Sequence, residues 1–376
     1  MKNPRHFLKE FNLYFLIILF ALTSCKTTEE RMQKNLHSTW QEYFQKTFDQ
    51  TAPIEVLVVT NRNSKDQFFS CEDSQFGVEV NQDLKLGDLK FGICKINVPK
   101  NHIVGEIEFA KDKKQSEQNF FKILDSKALQ EKDFFVEAKK IKRQALVFVH
   151  GFNVRYQEAV LRAAQIAYDL KYQGAVILFT WPAGAKEGFL ADKMLNKTYA
   201  DNAKNAADSI LAFKNFLLTL QKNDIKINLI VHSMGHQVVL PALQLISESY
   251  PQKTLISNLI LNAPDFEIGQ FRKFAPNLKK VSDHTTLYCS QNDKAMIASK
   301  SFNNNDRLGA CAFIEEIDVI NVGEIDNSTL GLGHGYYSSR PILSDVFQTL
   351  LGIDANKRLF VAKSDSNGLD KYFLRR

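Results

Sequence analysis

The chain of 376 residues has no apolar run of the roughly 20 residues that a membrane-spanning helix requires. Its N-terminal apolar run, Leu13 to Leu22, stops at ten. No basic patch interleaved with aromatics appears, and the formal net charge is only +6, part of it from Lys2, Arg5 and Lys9. That balance argues against nucleic acid as a partner. There is no internal repeat, which sets aside stacked-repeat architectures. The cysteines do not follow a metal-ligand spacing. What remains is a chain that is 44% hydrophobic, enough for a large core.

The first 25 residues read as a targeting segment: a basic stretch, the short apolar run, then small residues before a cysteine. "LTSC" (Leu22 to Cys25) resembles a lipobox. The resemblance implies cleavage before Cys25 and lipidation of its sulfur. Each buried methylene of the acyl chains would add about 0.8 kcal/mol to membrane binding. An ordinary secretory signal or an uncleaved anchor is the alternative. Lys26 stands where an aspartate would signal inner-membrane retention, so the expected location is the bacterial cell envelope, and the outer membrane where the source has one. Residues 26–50 are polar and helix-prone, a tether with a lead-in helix. Export leaves Cys71, Cys94, Cys289 and Cys311 in oxidising surroundings. Of the three possible pairings, Cys71–Cys94 with Cys289–Cys311 is the local one. Four buried free thiols are the alternative.

Residues 51–376 read as one domain. "IEVLVVTNR", "LKFGICKINVP" and "GEIEFA" have strand composition, and residues 111–133 read as an exposed loop or helix. From residue 144 onward, apolar strands such as "QALVFVHG", "GAVILFTWP" and "INLIVHS" alternate with helical segments. That alternation predicts an α/β fold: a mostly parallel central sheet, helices on both faces, and antiparallel strands at the N-terminal edge.

Within "NLIVHSMGHQ", Ser233 sits between a strand and a helix. Such a corner projects a hydroxyl from the sheet and sets the next N–H beside a helix N-terminus. The usual pattern is G-x-S-x-G; here Gly235 is present but Val231 replaces the first glycine. "FVHGFNV" ends an earlier strand in His150-Gly151-Phe152, which offers the Phe152 N–H, together with that of Met234, as an oxyanion hole. His150 is then a structural histidine. His334, in the glycine-rich "GLGHGYY", is the expected base; His232 and His236 are expected to point elsewhere. Asp293, in "YCSQNDKA", is the expected acid and Asp265, in "LNAPDFE", the runner-up. The order Ser233, Asp293, His334 is that of the α/β-hydrolase triad. Arg62 and Arg307 are expected to pair with buried carboxylates. Tyr199 and Asp201 are expected to order the loop after Pro182, a lid or substrate-selecting segment, and Trp181 to line either the pocket or the core.

With "VVTNR", "VFVHGFNV", "FTWPAG", "YADN", "IVHSMGHQ", "LNAPDFE", "DRLGA" and "GLGHGYY" together, the chain resembles a bacterial α/β-hydrolase family of unknown function, over roughly residues 54–350. That family usually has alanine where Val231 stands. The resemblance implies the α/β-hydrolase fold and serine-hydrolase chemistry without a substrate. The expected protein is thus a membrane-tethered serine esterase or lipase-like enzyme for a small-molecule or lipid ester, needing no metal or organic cofactor. An amidase or peptidase with the same triad, or a non-catalytic surface lipoprotein, is the alternative.

Overall fold

A computed structural model describes residues 53–375 apart from 66–68, 74, 82–88, 111–115, 142–143, 186–194, 251–253, 326–333, 337–338 and 365–367. The expected signal, the lipidation site Cys25 and the tether lie outside the described residues, as do residues 186–194 of the expected lid segment. The strands are β1 (Ile54–Thr60), β2 (Arg62–Ser64), β3 (Phe76–Val80), β4 (Lys90–Asn97), β5 (Lys122–Leu129), β6 (Gln144–Val149), β7 (Ala175–Thr180), β8 (Lys226–His232), β9 (Ile256–Asn262), β10 (Ser282–Cys289), β11 (Asp318–Asn321), β12 (Val361–Lys363) and β13 (Tyr372–Leu374). The helices are α1 (Glu131–Lys139), α2 (Tyr156–Asp169), α3 (Leu195–Lys222), α4 (His236–Ser249), α5 (Ile268–Phe274), α6 (Lys294–Asn303) and α7 (Arg340–Leu350).

Eleven strands form one sheet in the order β12-β13-β11-β10-β9-β8-β6-β7-β1-β4-β5. Neighbours from β13 through β1 run parallel. β4 and β5 are antiparallel at one edge, and β12 at the other. This is the α/β-hydrolase fold expected from the sequence. The central strands are apolar at nearly every position because both of their faces are covered. Alternate side chains feed two cores: Ala145, Val147 and Val149 of β6 enter one, Leu146 and Phe148 the other. Side chains of α1, α3, α4 and α5 build the first, and those of α2 and α7 the second.

Two local expectations fail. Gly105 to Ala110 is not a strand; only Phe109 makes an isolated bridge, to Phe121. Residues 111–133 include β5, whose charged, largely exposed sequence suits a sheet edge by discouraging further strand pairing. The C-terminal segment, of open role in the sequence, adds β12 and β13 to the sheet. No helix among the described residues is long and apolar enough to cross a membrane.

Candidate active site

In a parallel sheet, the C-terminal strand ends gather side chains from segments distant in sequence. Here β6 leads into His150-Gly151-Phe152, β8 into Ser233, β9 into Asp265 and β10 into Asp293.

Ser233 adopts φ 50°, a left-handed conformation that costs an L-residue roughly 1–2 kcal/mol. Its strand neighbours, the following 3-10 turn (Ser233–Gly235) and α4 hold it there. Two glycines let the elbow pack against β6. A Cβ on Gly235 would lie 2.5 Å from the His150 carbonyl oxygen, and one on Gly151 would lie 2.8 Å from the Ser233 Cβ. Val231 sits fully buried between Val149 and Leu261, where its side chain fills core instead of crowding the turn. The His236 Nδ1–H and the Asp265 N–H both donate to the Ser233 carbonyl, at 2.7 and 3.2 Å.

His334 Nδ1 donates to Asp293 Oδ2 at 2.7 Å. That bond fixes the tautomer with Nε2 as the acceptor. Nε2 is buried and has no hydrogen-bond partner among the described residues, Ser233 Oγ included. Such a bond commonly tightens only once substrate is bound. Asp293 is fully buried and serves two purposes. Its Oδ1 accepts from the Ala295 and Met296 N–H groups, at 2.9 and 3.1 Å, and so caps α6. Its Oδ2 serves His334 and also accepts from the Tyr336 hydroxyl at 3.3 Å.

Asp265, the runner-up acid, is engaged elsewhere. It pairs with Arg307 at 3.1 Å and accepts from the Ser299 and Tyr199 hydroxyls at 2.5 and 2.8 Å. The geometry therefore brings Asp293, and not Asp265, to His334. Arg307 meets a buried carboxylate as expected, but Arg62 pairs with none among the described residues. The Arg62 guanidinium donates to Thr180 Oγ1 and to the carbonyls of Gly77, Ala183 and Val154, all at 2.9–3.0 Å. It thereby ties β2 and β3 to the strand ends. Complete burial pulls its pKa down to about 9, against the pull of Asp73.

His150 lies beside this arginine and cannot serve as a base. Its Nδ1–H donates to the Gly151 carbonyl, and Nε2 accepts from Thr180 Oγ1 at 2.9 Å. Burial, then the Arg62 charge, bring its pKa down to about 3. Trp181 belongs to the core: it is fully buried, stacks on His150 and donates to the His150 carbonyl.

The Phe152 N–H and the Met234 N–H follow the ends of β6 and β8. Neither donates to any backbone carbonyl through the loop and turn bonds among the described residues. Asn202, which the sequence reading passed over within "YADN", clasps this region. Its Oδ1 accepts from the N–H groups of Asn153 and Gly184, both at 3.1 Å, and its Nδ2 donates to the Gly184 carbonyl. Thus Asn202, rather than Asp201, joins the Phe152 turn to the loop after Pro182. His232, expected to point elsewhere, lies beside the expected base. Its ring lies 4.7 Å from that of His334 between centroids, and its Nε2–H donates to the His334 carbonyl at 3.1 Å. Burial, then the neighbouring His334, hold it well below the usual histidine range.

Both local cysteine pairs are bonded, Cys71 to Cys94 and Cys289 to Cys311. The second staples the end of β10 to the segment 307–311. That segment bonds in turn to Pro264, Phe266 and Ser290. Among the described residues no group of three or more His, Cys, Asp or Glu side chains is placed to hold a metal ion. A cavity of about 250 Å³, lined by Arg62, Asp73, Phe76, Arg155 and Tyr156 among others, includes none of Ser233, Asp293 and His334.

The model of a family described as alpha/beta hydrolase of unknown function (DUF900) matches residues 126–353, more than half of the chain. The chain belongs to that family. Its matched span includes the elbow, both aspartates and His334. Among solved structures, the chain is similar to the phospholipase PlaB from Legionella pneumophila, with 11% identity over 62% of this chain and 68% of that one and a TM-score of 0.29. It is also similar to a hyperthermophilic esterase from the archaeon Pyrobaculum calidifontis, with 8% identity over 89% and 97% of the two chains and a TM-score of 0.34. No curated protein sequence matches it.

Proposed function

We propose that this family member is a serine hydrolase that cleaves carboxylic esters through an acyl-enzyme. The observation that carries the reading is the bond from His334 to buried Asp293, 2.7 Å long, with His334 packed on His232, the residue that precedes a serine at a strained strand-helix elbow. Ser233 Oγ attacks the acyl carbonyl carbon while His334 Nε2 takes its proton. Asp293 keeps the ring oriented and offsets the charge of the imidazolium. The Phe152 and Met234 N–H groups receive the developing oxyanion; a single donor of this kind contributes about 10²–10³ in rate. His334 then delivers the proton to the leaving alkoxide. Water, activated by the same base, attacks the acyl-enzyme and frees the acid.

The N-terminal reading completes the proposal: Cys25, lipidated on its sulfur and left as the first residue by cleavage before it, tethers the enzyme to a membrane of the cell envelope. The two disulfides suit the oxidising surroundings outside the cytoplasm.

Fluorophosphonate labelling tests the chemistry. Wild type should label, whereas Ser233→Ala and His334→Ala should not, with unchanged circular dichroism. Well-folded wild type that stays unlabelled would refute the mechanism. Radiolabelled palmitate tests the tether: label that persists in Cys25→Ser would refute it.

A further inference from the structure

Beside the Phe152 turn runs a row of apolar side chains that the chemistry just described does not use. The Phe152 and Tyr199 ring centroids are 5.7 Å apart, and those of Tyr199 and Phe302 are 5.3 Å apart. Leu195 lies one helical turn before Tyr199 on α3, on the same face. Tyr199 is buried, yet Phe302 is 37% and Leu195 48% exposed. Two large apolar side chains thus stand open to water at the outer end of a row whose inner end is the candidate oxyanion turn.

Polar recognition along this row is blocked. The Tyr199 hydroxyl donates to Asp265 and receives from Asn303 Nδ2 at 2.9 Å and Arg307 Nη2 at 3.3 Å. Its single polar atom is turned into a satisfied network, which also fixes the ring between the two phenylalanines. A sugar or peptide laid here would lose its water contacts and gain none in return. A hydrocarbon chain would cover the exposed phenylalanine and leucine and lose nothing polar.

We infer that the substrate is an ester of a medium- or long-chain fatty acid, its acyl chain lying along Phe152, Tyr199, Phe302 and Leu195. This rests on the serine-hydrolase reading of the same site. The ring-to-ring path is at most about 11 Å. An extended chain advances about 1.2 Å per bond, so the three rings accommodate on the order of eight carbons.

The test uses the full-length chain and monomeric p-nitrophenyl acetate, butyrate and octanoate. The octanoate-to-acetate ratio of kcat/KM should exceed about ten. Phe302→Ser and Leu195→Ser should each lower that ratio roughly three- to tenfold. Both sites are partly exposed, so folding is retained. Leu359→Ser, at an apolar residue 75% exposed elsewhere, should leave the ratio alone. Phosphatidylcholine vesicles separate the two sources of such a chain. Fatty acid released from them points to membrane lipid; octanoate turnover without release points to a dispersed ester. A ratio near one, or a ratio unmoved by both variants, overturns the inference. Fluorophosphonate labelling of Ser233 in the same preparations shows which reading has failed. Labelling without chain-length preference removes only the acyl strip; no labelling removes both.

Discussion

The His232 ring reaches across 3.1 Å to the backbone carbonyl of His334, so the residue preceding the candidate nucleophile holds the loop that carries the candidate base. His232→Phe keeps a planar ring but removes the donor. We expect kcat to fall about 10–100-fold, because small displacements of a catalytic group are costly. KM should change little. His232→Asn, which retains an N–H, should recover part of the loss. Wild-type kcat in His232→Phe would show that the bond does not position the base.

The two aspartates should separate activity from stability. Asparagine caps helices almost as well as aspartate, so Asp293→Asn should unfold within about 1 kcal/mol of wild type. Its ester turnover should drop about 10⁴-fold, since His334 loses the carboxylate that sets its tautomer. Asp265→Asn should do the reverse. It strands buried Arg307 and should cost about 3–5 kcal/mol. Urea titration with turnover measured on the same samples checks both. Equal loss of activity in the two variants at equal stability would reopen the assignment of the acid.

Reduction should reach the site through one disulfide in particular. Cys289–Cys311 joins cysteines 22 residues apart, a loop that contains Asp293, and opening it should cost about 3 kcal/mol. The double variant Cys289→Ala/Cys311→Ala should lose both urea resistance and turnover. Removal of Cys71–Cys94, whose loop contains none of Ser233, Asp293 and His334, should lower stability by a similar amount with a smaller effect on turnover. Identical effects on turnover would count against a link between the first disulfide and the acid.

Acid should weaken the fold before it reaches the carboxylates. The pKa values of His150 and His236 are lowered to about 3, in both cases first by burial. Once the pH falls below about 6.5, the unfolded chain binds protons that these folded rings refuse. Each ring therefore removes up to about 1.4 kcal/mol of stability per pH unit between pH 6.5 and 3. His102 acts in the opposite sense. Burial opposes its charge, but hydrogen bonds to Asp169 and Glu108 outweigh burial and raise its pKa. Its contribution is complete below about 6.5 and is lost as pH rises through the folded value. His232, also held well below the usual histidine range by burial first, adds to the loss, so three lowered rings against one raised ring leave a net loss on acidification. Urea midpoints at pH 7, 6 and 5 should fall in that order; a flat series would contradict the burial of neutral His150 and His236.

Much of the fold was legible because buried parallel strands leave apolar runs that turns punctuate, as in "QALVFVHG" and "INLIVHS". β5 escaped because its one sheet neighbour leaves "KILDSKAL" largely solvent-facing, so its composition resembles a loop. Ser233, Asp293 and His334 stand out from their order along the chain, and the bond from His334 to Asp293 agrees with that order. Arg62, Asn202 and His232 do not stand out in this way. Each acts through contacts with backbone carbonyls or N–H groups, and the identity of a backbone partner leaves no mark on the sequence. Arg62 looked like half of an ion pair because buried arginines usually have one; here neutral carbonyls take most of its donors.

The double use of Asp293 bears on descent. One of its oxygens holds a helix and the other a histidine, and asparagine can replace only the first. A descendant that abandoned catalysis could acquire asparagine at 293 at little cost to folding, whereas change at 265 would be purged with the fold. Among natural variants of this chain, an asparagine at 293 beside an intact Asp265 would therefore mark a folded protein that has given up its chemistry.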